Sequence, residues 1–153
     1  MAELTYLMNS DPTGTSNRFY HFAEQYFTAA GATIVLAPAG GQTLEGVFAD
    51  LNRRAKPQTV INLVSHASGF SSMQCPLTNA DKTAGRESMN EWDMEAALAN
   101  KTLALPSPTV VTDKTSIVVY GCDVGRSEGF MIKLSTLFGN PAELLAPKML
   151  CLV

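Results

Sequence analysis

The sequence predicts an α/β fold, a mostly parallel sheet with helices on both faces. Three observations predict it. Short apolar runs of strand length alternate with stretches whose apolar residues recur at helical spacing. One run, "TVINLVS", carries apolar residues at odd and even positions alike, as a strand covered on both faces does. Hydrophobic residues make up 46% of the 153-residue chain and charged residues 16%, enough to bury a real core in one domain spanning 1–153.

The elements follow in order. Leu4 to Met8 is a first strand, ending in the loop "NSDPTGTSN". Phe19, Phe22, Ala23, Tyr26, Phe27 and Ala30 mark a helix that Gly31 closes. "TIVLA" is a second strand. Leu44, Val47, Phe48, Leu51 and Ala55 mark a second helix, stopped before Pro57. "TVINLVS" is the third, central strand. The segment from Gly69 to Arg86 is polar and breaks the rhythm, with "GFSSM" able to start a hairpin. "SMNEWDMEAALAN" opens with Ser88 and Glu91 at capping-box spacing and reads as a helix. "SIVVY" is the fourth strand, Phe130 to Phe138 a helix ended by Gly139, and "AELLAP" the fifth strand. The apolar tail "KMLCLV" predicts a buried segment or further protein beyond it, and with it self-association or a partner segment.

The totals exclude several classes. A net charge of −3 argues against a nucleic-acid partner, which calls for a basic face. Cysteines 75, 122 and 151 are odd in number and widely spaced, which is neither a disulfide framework nor a CxxC metal site, and points to a reducing compartment. The N-terminus lacks a signal-peptide pattern and no apolar run reaches membrane-span length, so a cytoplasmic protein without a membrane partner is expected. "APAGGQT" lacks the Walker lysine, "SHASG" does not fit G-x-S-x-G, and "GCDVGRSEG" is not G-x-G-x-x-G. No cofactor or metal is expected.

Chemistry concentrates at two strand ends. His66 ends the third strand and Cys122 follows the fourth, where in open α/β sheets the loops fan apart and sites form. If those strands are neighbours, the two side chains emerge on one edge of the sheet. A free thiol, with a pKa of about 8.5, needs a base to become a thiolate at neutral pH, and a histidine can then return the proton to a leaving amine. Each residue also has a plainer reading, Cys122 as a small buried hydrophobe and His66 as a hydrogen-bonding loop residue. Their joint placement favours the chemical one. His21, inside the helical pattern, and Cys75 and Cys151, in the polar insertion and the tail, read as structural.

Strand, "SHASG", polar hairpin, helix, strand and "YGCDVG" together resemble the caspase-like clan of cysteine peptidases. "VVYGCDVGRSEGFMIKLSTLFG" is most similar to its bacterial branches, including CHAT-type domains. The resemblance implies a caspase-haemoglobinase-like three-layer sandwich and a cysteine endopeptidase with protein or peptide substrates. It implies His66 as base and acid, Cys122 as nucleophile, and the N–H groups of Ala67 and Cys122 as oxyanion donors. Ala67 stands where the clan usually has glycine, which would be strained if φ there were positive. By position, the resemblance brings Arg18, Tyr120 and Asp123 near the primary specificity pocket. Arg18 would hold an acidic side chain or be a solvated charge at a helix start, and Asp123 would favour a basic one. The chain is similar to the large-subunit portion of processed caspases, so a second subunit or segment is an implied partner. The rival reading is a degenerate caspase-like domain that acts as a protein-interaction module.

Overall fold

The computed structural model describes residues 3–10, 18–68, 72–121, 125 and 127–146. In chain order the elements are β1 (Glu3–Leu7), α1 (Phe19–Ala29), β2 (Thr33–Val35), α2 (Leu44–Arg54), β3 (Val60–Val64), β4 (Ala67–Ser68), β5 (Ser72–Met73), α3 (Asn79–Thr83), β6 (Met89–Asn90), α4 (Glu91–Asn100), β7 (Ser116–Tyr120), α5 (Glu128–Phe138) and β8 (Glu143–Leu145). Five strands form one parallel sheet in the order β2-β1-β3-β7-β8, and β4-β5-β6 form a small antiparallel sheet beside it.

Strand alternation assigns the helices to faces. Leu4 and Tyr6 of β1, Ile61 and Leu63 of β3, and Ile117 and Val119 of β7 share one core with α2, α4 and α5. That core holds the fully buried Phe48, Phe130 and Phe138. Leu7 and Val64 point the other way and pack under Tyr20 and Phe27 of α1. The α1 face is polar at its far end, where the Asn62 amide donates to Glu3 Oε1 at 3.0 Å and Thr5 Oγ1 at 3.1 Å. On the opposite face Asp50 joins α2 to β1. It accepts from the Tyr6 hydroxyl and from Arg54 Nε, each at 2.7 Å, and also pairs with Arg53.

The chain leaves β1 over the α1 face to reach β2 and returns over the α2 face to reach β3. The two crossovers therefore diverge between β1 and β3, which makes the C-terminal ends of those strands a topological switch point.

Several local expectations need correcting. In α1 the buried face is Tyr20 and Phe27, while Phe22 and Tyr26 stand 53% and 66% exposed. The α4 capping box is Asn90 with Asp93, not Ser88 with Glu91, because Ser88 precedes β6 and the chain is still extended through Asn90. The polar insertion is less polar in its placement than in its composition. Met73, Cys75 and Leu77 reach the main core, and Thr78 with Asp81 caps the short α3. The expected tail segment, residues 147–153, lies outside the described residues. Among the described residues no helix is long and apolar enough to cross a membrane.

Candidate active site

β3 and β7 are hydrogen-bonded neighbours, in register from Val60↔Ser116 to Val64↔Tyr120. The ladder runs one step further, the Ser65 N–H donating to the Tyr120 carbonyl at 3.1 Å. His66 and Cys122 each follow these last paired residues by two positions. Cys122 and Asp123 lie outside the described residues, as does Cys151.

His66 is half-buried at the switch point between β1 and β3. Its backbone is held from three directions. Its N–H donates to the Tyr20 hydroxyl at 2.9 Å, and its carbonyl accepts from the Gln74 N–H at 2.7 Å and from Ser65 Oγ at 2.9 Å. Its ring lies against Phe19, centroids 4.6 Å apart with planes tilted by 30°, and meets Tyr20 edge-on at 5.1 Å. The first turn of α1 is thus the wall that fixes the imidazole, since packed aromatic faces restrict ring rotation. Reading the sequence did not single out Tyr20. Its polar tip hid it among the other aromatics of α1, and nothing in the spacing marks a tyrosine that reaches across to β3.

Ala67 follows in β4 at the edge of the small sheet. The Gln74-to-His66 bond makes 66 and 74 a hydrogen-bonded pair in this antiparallel register. Ala67 and Met73 are therefore a non-hydrogen-bonded pair, and the Ala67 N–H points away from β5. Ala67 is not among the positive-φ residues, so alanine is unstrained where a glycine was expected. Its Cβ lies close to Gly121. A Cβ built on Gly121 would stand 2.5 Å from the Ser65 carbonyl oxygen and 3.0 Å from the Ala67 Cβ. Glycine at 121 therefore lets the end of β7 lie directly against the residues that bracket His66, one peptide bond before Cys122.

The remaining sequence candidates fall elsewhere. Tyr120 is 38% exposed, and its ring packs edge-on against Phe27 at 5.0 Å on the α1 face. Burial, with Tyr26 and Glu3 nearby, raises its pKa. Arg18 is exposed at the N-cap position of α1, where its side chain makes no capping bond. His21 is exposed on the same helix. Further along the chain Ser127 caps α5, its hydroxyl accepting from the Phe130 N–H at 3.3 Å. The Glu91 carboxylate lies against Gly129 in the first turn of α5, where an acid complements the helix dipole.

Cys75 follows β5 and is fully buried. Burial pushes its thiol up to about 12, against a smaller lowering from the Ser65 hydrogen bond. A thiol held neutral cannot compete as a nucleophile. Iodoacetamide at pH 8 is therefore expected to spare Cys75 in the folded protein and to modify it after denaturation; modification at equal rates in both states would contradict this burial. The same shift carries a sign for stability. The folded pKa lies above the ordinary cysteine value of about 8.5, so the unfolded chain ionises first and stability declines as pH rises from about 8.5 to about 12.

Among the described residues no group of three or more His, Cys, Asp or Glu is placed to hold a metal. Comparisons with protein-family models, curated proteins and solved structures returned no match.

Proposed function

We propose that the chain is a cysteine endopeptidase of caspase-like fold, with Cys122 as nucleophile and His66 as its base and acid. The observation that carries the reading is the contact of Gly121 with Ser65 and Ala67, which brings the residue before Cys122 against both neighbours of His66. In sequence, His66 and Cys122 each stand two positions beyond Val64 and Tyr120, the last paired residues of two neighbouring strands.

In this reading His66 takes the Cys122 proton, and the thiolate attacks the scissile carbonyl carbon. The Ala67 N–H, with that of Cys122, stabilises the oxyanion. The tetrahedral intermediate collapses as His66 protonates the leaving amine, leaving a thioester on Cys122. Water, deprotonated by His66, then attacks the thioester. The carboxylic acid departs and the thiol regains its proton. Phe19 and Tyr20 keep the imidazole oriented through both steps.

The test is selective labelling. A peptidyl electrophile with a leaving group should modify Cys122 and leave Cys75 and Cys151 untouched, and blockage should match loss of cleavage. Equal modification of a denatured control would assign the reaction to ordinary thiol chemistry and favour an interaction module.

A further inference from the structure

A second feature of the same sheet edge has no part in the dyad. A cavity of about 380 Å³ opens beyond β1 and β5, between the Gly40–Gly41 turn and the segment after α3. It lies within the usual size range of a ligand pocket, about 300–1,000 Å³. Lys82 enters it from α3 and donates to the carbonyls of Ala39 at 2.9 Å and Gly41 at 2.6 Å. Both glycines of that turn have positive φ, and a Cβ on Gly40 would press on the Lys82 stem at 3.2 Å. The turn is therefore shaped around the lysine. Among the described residues Lys82 has no carboxylate partner, and an ammonium has three donors, of which two are used here.

The lining narrows what the third donor would meet. Gln74 and Asn9 contribute neutral amides, and Met8 and Pro76 an apolar wall. Arg86 is already paired with Asp93 at 2.8 Å, and the exposed Glu87 also lines the cavity. One available cation and neutral donors beside the Glu87 carboxylate leave too little positive charge for a phosphate dianion. Lys82 and the two amides can hold a single negative charge, as of a carboxylate on a short methylene stem.

We propose that this cavity binds a carboxylate, with Lys82 as its cation and the side chain of a glutamate in a peptide as its source. Gln74 connects the two sites, because it lines the cavity and its N–H holds the His66 carbonyl. The peptide source rests on the peptidase reading; carboxylate binding does not.

The experiment measures binding alone. The full chain, isotopically labelled, is titrated with acetylglutamyl amide, acetylglutaminyl amide and glutarate, and amide shifts are followed by NMR. Acetylglutamyl amide is expected to shift Gly40, Gly41 and Lys82, with the glutaminyl analogue at least about tenfold weaker, as loss of a charge-assisted hydrogen bond implies. Lys82→Met should weaken binding by a similar factor. Asn9→Leu, which leaves the lysine on its two carbonyls, should weaken it less but measurably, so that loop disruption alone does not explain the loss. Equal binding of the two amides, or shifts confined to other residues, overturns the proposal. Preference for the glutamyl amide over glutarate supports a peptide source; the reverse order overturns that source and assigns the site to a free dicarboxylate. Binding in a chain that cleaves no peptide would preserve the cavity and remove the peptidase reading.

Discussion

Replacing Cys122 with alanine is expected to leave a folded protein that no longer cleaves peptide, the rate falling by roughly four orders of magnitude or more. The residue follows β7 at the edge where loops diverge, and the buried side chains that hold β7 in place are Ile117 and Val119. In the proposed role the Cys122 sulfur serves the reaction, and the substitution leaves those two side chains unchanged. The loss should therefore appear in turnover and not in the circular dichroism spectrum or melting temperature. Retained turnover by the alanine variant would remove the nucleophile from the account.

Gly121→Ala is expected to damage both stability and activity. The added methyl would meet the Ser65 carbonyl oxygen at 2.5 Å and the Ala67 Cβ at 3.0 Å. One of these is backbone and the other a side chain with no rotamer to change, so neither can swing aside. The ends of β3 and β7 must part, at about 1–3 kcal/mol for overpacking of this kind. In a chain of this size that lowers the melting temperature by about 2–4 °C per kcal/mol. Separating the strand ends also moves His66 relative to Cys122, and a misplacement of about 1 Å can cost about 100-fold in rate. Thermal melts and peptidase assays on the same preparation read both effects. Unchanged values in both would show that the close approach at Gly121 does not position the site.

The central strands were legible because their composition leaves little choice. Ile61 and Leu63 face one side and Val64 the other, and β-branched residues fill "SIVVY". Their adjacency was not legible, because strand order depends on crossovers that no single segment encodes. The α1 face was misread for a different reason. Phe19, Tyr20, Phe22, Tyr26 and Phe27 surround most of the helix, so spacing alone cannot choose the buried stripe, and tertiary contact with Leu7 and Val64 decides it. The α4 cap was misread by two residues because Ser88/Glu91 and Asn90/Asp93 have the same spacing, and only pairing of β6 shows that the chain is still extended at Asn90. α3 escaped notice because it buries no side chain and is held by its capping box. At the site, His66 was visible from its strand-end position. The Tyr20 hydroxyl on its N–H and the Gly121 contact were not, since both join residues far apart in sequence.

The measurement that tests the Cys122–His66 dyad most directly is the pH–rate profile of Cys122 alkylation. Wild type and His66→Ala are treated with iodoacetamide across a pH series, and modification is quantified on the Cys122 peptide by mass spectrometry. A partnered thiol should react with an inflection well below the ordinary cysteine pKa of about 8.5, and the alanine variant should return towards it, slowing the reaction near neutral pH. Superimposable profiles would mean that the two residues do not communicate, and would contradict the account.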